Sequence, residues 1–134
     1  MHEFISMVSS SLYHGSRFAD IKVFEPRKHM DGGDKKIVFA TDDKAYALAM
    51  IYGSGNDLAV SFALNPQSGE REMYVDELRP GKLDLLEQAG YLYEVSSEYF
   101  EPSPEGLRGE YVSYAAVPAL SINKVENIAQ ELAS

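Results

Sequence analysis

Leu12-Tyr13-His14-Gly15-Ser16-Arg17 is the stretch from which the rest of the chain is read. Leu12 to His14 predicts a short strand, and Gly15-Ser16 ends it. On its own, His14 reads equally as a hydrogen-bonded structural histidine or as a ligand-binding one. Upstream, Met1 to Ser11 has no basic region followed by an apolar run, so no secretory signal is expected. Downstream, Arg17 to Pro26 reads as irregular or briefly helical, anchored by Ile21, Val23 and Phe24. Arg27 to Lys36 is a charged loop containing Gly32-Gly33.

A second strand follows at Lys36 to Ala40, with Thr41 as the expected N-cap of a helix from Asp42 to about Tyr52. Asp42 and Asp43 suit the positive end of that helix. Ala45, Leu48, Ala49 and Tyr52 recur at i, i+3, i+4 and i+7, which predicts one apolar stripe. Tyr46 lies off the stripe and is expected to face a cleft. Leu58 to Leu64 predicts a strand and Asn65 to Gly69 a turn, with further strands near Met73–Val75, Gly90–Val95 and Tyr111–Val117. Phe100 to Gly109 reads as a loop and Lys124 to Leu132 as a C-terminal helix. Many short strands and few helices predict an α+β fold within one domain over residues 1–134.

Composition narrows the function. Before Leu48 there are seven basic and seven acidic residues; from Leu48 onward there are five and fourteen. An overall charge of −9 opposes nucleic-acid binding, which relies on neutralising phosphates. No run approaches the ~18 apolar residues of a membrane span. The chain has no cysteine, which suits a cytoplasmic location. Three widely separated histidines give no metal-ligand spacing, and no Gly-x-Ser-x-Gly motif is present.

Three patches, in order, resemble the ADP-ribosyltransferases of the poly(ADP-ribose) polymerase type. Leu12-Tyr13-His14-Gly15-Ser16-Arg17 resembles their His-Gly-Ser/Thr strand. Ile37-Val38-Phe39-Ala40 and the helix after it resemble their Ile-Tyr-Phe-Ala strand and helix. Glu110-Tyr111-Val112-Ser113-Tyr114 resembles their strand bearing the catalytic Glu. The short chain also looks like small rifamycin ADP-ribosyltransferases. The resemblance implies two small antiparallel or mixed sheets forming a cleft, with a few peripheral helices. It implies NAD as substrate and cleavage of the nicotinamide–ribose bond, by transfer or hydrolysis, toward a protein or small-molecule acceptor. Such cleavage develops an oxocarbenium-like centre, as glycoside hydrolysis does.

By this resemblance His14 and Glu110 are the catalytic pair. Tyr13, His14, Gly15, Ser16, Arg17, Phe39 and Tyr46 are the NAD-binding candidates. Arg17 suits a pyrophosphate best. The loop from Tyr99 to Gly109 is expected to set the acceptor. The family's strand tyrosine corresponds to Val38, which neither donates a hydrogen bond nor offers a ring to stack. That departure motivates the alternative of a catalytically inactive module of the same fold, binding a nucleotide or a protein partner. A related RNA 2′-phosphotransferase is opposed by the acidity and the shortage of basic residues.

Overall fold

The computed structural model describes residues 11–29, 35–53, 56–104 and 109–133. Within these, the order is β1 (Ser11–Ser16), β2 (Val23–Phe24), β3 (Lys28–His29), β4 (Lys36–Thr41), α1 (Lys44–Gly53), β5 (Leu58–Leu64) and β6 (Arg71–Glu77). A 3-10 helix (Lys82–Glu87) leads to β7 (Gly90–Ser96), and a shorter one (Ser97–Tyr99) leads to β8 (Glu101–Pro102). Then come β9 (Glu110–Ser113), β10 (Val117–Val125) and α2 (Ile128–Ala133). Eight strands form one sheet in the order β2-β10-β7-β1-β4-β9-β8, with β3 also paired to β4; β5 and β6 form a separate ribbon. Every recorded strand pairing is antiparallel. The α+β class with two mostly antiparallel sheets and few helices is as the sequence predicts. The sheets are very unequal, however.

The sheet has a core on each face. Leu12, Phe24, Val38, Ala40, Tyr93, Val95 and Val117 pack on one side. On the other, Ala47, Leu48 and Ile51 of α1 pack with Leu92, Val125 and Ile128, and Tyr13 joins them. Helix α1 is rich in Ala, Leu and Met, all strong helix formers. Its cap is Asp43, whose Oδ1 accepts the N–H of Tyr46 at 3.2 Å. Thr41, the expected cap, accepts the N–H of Asp43 instead. The single-stripe expectation is also corrected. Tyr46, Ala47, Leu48, Ala49 and Ile51 are all buried, because the sheet covers one side of α1 and the β5–β6 ribbon another.

Other elements depart from the sequence reading. The start of the charged loop enters a strand pair, Lys28 opposite Ile37, while Met30 to Asp34 lie outside the described residues. The expected Tyr111–Val117 strand is two strands, β9 and the start of β10. The C-terminal helix begins at Ile128, because Leu120 to Val125 extends β10 along β7. Within Phe100 to Gly109, Glu101 and Pro102 pair with β9, and residues 105–108 lie outside the described region.

Candidate functional site

Register decides what meets what. Opposed residues on neighbouring strands point to the same face, and successive residues alternate. Tyr13 opposes Thr41, and Thr41 opposes Glu110. These three side chains share the α1 face. His14, by alternation, faces the other way, with Leu12, Val38 and Ala40. Packing agrees: Leu12 lies in the core away from α1, and Tyr13 packs against the α1 core. The structure therefore does not bring His14 and Glu110 together; a sheet lies between them.

His14 borders a cleft of about 270 Å³, walled by Ser16, Phe18, Ile21, Phe24, Arg27 and Val38 among others. The imidazole Nδ1 donates to the Phe39 carbonyl at 2.6 Å, so that nitrogen carries the proton. The ring lies 4.5 Å from that of Phe24, tilted by 49°. The outer wall is the loop between β1 and β2. Buried Tyr93 fixes it, donating its hydroxyl proton to Phe18 O at 2.6 Å and accepting from Ile21 N at 3.2 Å. Asp20 turns this loop with a φ of 63°, a left-handed conformation that Asp tolerates better than most residues. Arg27 and Glu25 at the cleft give it both signs of charge.

The opposite face carries Glu110, buried at 9% exposure. The Tyr46 hydroxyl donates to its Oε2 at 2.5 Å. The Tyr46 ring meets Phe39 at 5.9 Å and Phe62 of β5 at 5.0 Å, both edge-on. Burial, then the hydrogen bond to Glu110, then that residue's charge push the Tyr46 phenol well above its usual range, against a smaller pull from Arg71. Arg71 donates to Asp43 Oδ2 at 2.7 Å and stacks over Phe62 at 4.1 Å. No group of three or more metal-ligating side chains occurs among the described residues.

The sequence candidates thus divide. His14 and Ser16 line the cleft. Phe39 serves both faces, with its carbonyl on His14 and its ring on Tyr46. Tyr46 and Glu110 form a buried pair of their own. Gly15 faces α1: a Cβ there would overlap the Ala47 carbonyl oxygen and lie 2.7 Å from Ile51 Cγ1. Helix packing accounts for this glycine. Arg17 also sits at α1, its Nε 3.5 Å from Ile51 O and its guanidinium 4.6 Å from the centre of the Tyr52 ring. Val38 is a core residue at 4% exposure, behind the cleft. The sequence reading missed Arg27 and Glu25 as cleft residues and Arg71 as a partner of the Tyr46 region. Arg71 and Asp43 lie 28 positions apart and carried no local signal.

No protein-family model, no curated protein and no solved structure matches this chain. The likeness to ADP-ribosyltransferases therefore rests on the three patches of residues themselves.

Proposed function

We propose that this chain is a nucleotide-binding module of the ADP-ribosyltransferase-like kind, with NAD the first ligand to try, and that it does not cleave NAD in this arrangement. One observation carries the reading: His14 and Glu110 face opposite sides of the sheet, while the family's chemistry needs them around one ribose. Val38 and the packing of Gly15 against α1 support it, since both remove places for a nicotinamide ring. The cleft supports binding. An aromatic ring and an imidazole offer a stacking floor, and Arg27 offers a cation to a phosphate. Its 270 Å³ lies near the lower end of ligand pockets, roughly 300–1,000 Å³. That suits a base with its ribose, leaving the remainder of a dinucleotide along the Arg27 side.

The test is a melting series in NAD, ADP-ribose and AMP, run beside an assay for free nicotinamide. The proposal expects a concentration-dependent rise in Tm that His14→Ala removes, with no nicotinamide released. Nicotinamide release that disappears in Glu110→Gln would reject the non-catalytic part. No thermal shift from any nucleotide would reject the binding part.

One observation favours an active enzyme as the second reading. Strands β1 and β4 share the single ladder pair Tyr13–Thr41, and the next link between them is a side-chain one, from His14 to the Phe39 carbonyl. A ligand that displaced this side-chain link would touch both faces.

A further inference from the structure

The β5–β6 ribbon is a separate unit of the fold. Its seven opposed pairs run from Leu58–Glu77 to Leu64–Arg71, and among the described residues neither strand pairs with the main sheet. Its tip is internally bonded: Asn65 Oδ1 accepts from Gln67 N and Ser68 N, and Asn65 N donates to Glu70 O. Its base is clamped by Arg79 on Asp57 and by Leu78 N donating to Asp57 O. It is built to keep its own shape.

Its links to the body gather on one side. Leu58, Val60, Phe62 and Leu64 alternate onto one face with Val75, Met73 and Arg71. The base of that face is seated: Leu58 is buried, and Val60 lies against Gly53 of α1. The far end is not, since Leu64 is 68% exposed. Between them, Phe62 meets the ring of Tyr46, and at the far end Arg71, opposite Leu64, bonds to Asp43 at the start of α1. A Cβ on Gly109, next to Glu110, would lie 3.6 Å from the Arg71 guanidinium. The ribbon therefore roofs the place where, among the described residues, a buried tyrosine donates to a buried carboxylate.

The geometry points to a cover: the β5–β6 ribbon opens as a unit about its seated base, and the Arg71–Asp43 ion pair is the latch that holds it over Tyr46 and Glu110. This is independent of the His14 cleft and holds whether or not a nucleotide binds there. The latch is suited to opening. Its two side chains are 27% and 29% exposed, and a partly solvated pair of this kind contributes about 1 kcal/mol or less. Its loss would shift the balance between closed and open by that amount; opening also breaks the Phe62 contact with Tyr46. Closed, the cover keeps water from the pair; open, it gives a substrate or partner its route to Glu110.

Nitration of tyrosines by tetranitromethane, mapped by mass spectrometry on the full chain, tests this. Tyr46 is the reporter. Tyr93, fully buried in the core on the opposite face, is the internal control. Asp43→Asn removes the latch charge yet keeps an oxygen to cap α1, so it leaves the helix in place. Arg71→Ala removes the latch and its contact with Phe62. The proposal expects nitration of Tyr46 to rise about three- to fivefold in Asp43→Asn, as loss of up to ~1 kcal/mol implies. Arg71→Ala should raise it further, with Tyr93 unchanged in both. An unchanged Tyr46 in Asp43→Asn, or Tyr46 and Tyr93 rising together, overturns it. The first outcome means the pair latches nothing; the second means the ribbon opens only when the whole fold does.

Discussion

The two faces of the main sheet bury polar groups in opposite ways. On one, His14 donates from Nδ1 to a backbone carbonyl and leans on Phe24 at the wall of an open cleft. On the other, Glu110 is closed in by α1 and receives a phenolic proton from a tyrosine that two aromatic rings hold edge-on. The first polar group borders open space, whereas the second is covered and has one carboxylate oxygen engaged by Tyr46. A histidine and a glutamate that look like partners in sequence are in this fold a cleft residue and a core residue.

The largest test of this contrast is Gly15→Val. Gly15 sits on β1 beside His14, yet its missing Cβ makes room for α1 on the Glu110 face. A valine there must push against backbone, which does not yield as a side-chain tip does. The expected loss is about 3 kcal/mol, or roughly 10 °C in Tm, with α1 displaced. If Gly15→Val melts like the parent, α1 does not press on β1, and the closed face is more open than described.

Next in size is Tyr46→Phe. It removes the Tyr46 hydroxyl from Glu110 and leaves a buried carboxyl without that donor, an expected cost of about 2 kcal/mol. A double-mutant cycle with Glu110→Gln separates the pair from the ring's packing, and strictly additive losses would mean that the pair is uncoupled. The pH dependence has a definite sign. The folded protein holds the Tyr46 phenol above its ordinary value of 10.0, so folding favours the protonated form. The stabilisation is complete below about pH 10 and declines as pH rises beyond it, because the unfolded chain then ionises first. Tyr46→Phe removes this residue's share of the alkaline decline, which urea melts between pH 8 and 11 would register.

What was legible in the sequence follows the range of the physics. The α1 helix, the β5–β6 hairpin and the strands at Leu12, Ile37 and Gly90 rest on local patterning, and those elements are present. The length of β10 is not predicted because the alternation of Leu120-Ser121-Ile122-Asn123 is short and runs straight into Lys124 to Leu132, whose apolar spacing is helical. The cleft was half visible: His14 and Ser16 stand in the opening motif, whereas Arg27 joins them only because it and β3 fold back beside β4, with Arg27 N donating to Ile37 O. Which face a residue takes was not legible at all. His14 and Glu110 belong to strands separated by β4, and only the register through Tyr13, Thr41 and Glu110 sets their directions. A one-residue slip would have turned either side chain to the other face.

The smallest expected effect on stability is the most informative about the cleft. His14→Gln keeps a donor for the Phe39 carbonyl but loses the ring against Phe24, and the cost should be about 1 kcal/mol. Because that change is small, the variant remains folded and isolates the ring's part in recognition. If the cleft binds a base by stacking, His14→Gln should lose most of the nucleotide-dependent rise in Tm while keeping nearly all of its own stability. Glu110→Gln should do the reverse, preserving the nucleotide response with a lower starting Tm. Two variants that weaken nucleotide binding equally would mean that ligand reaches both faces, and the side-chain link from His14 to the Phe39 carbonyl between β1 and β4 would be the place where it enters.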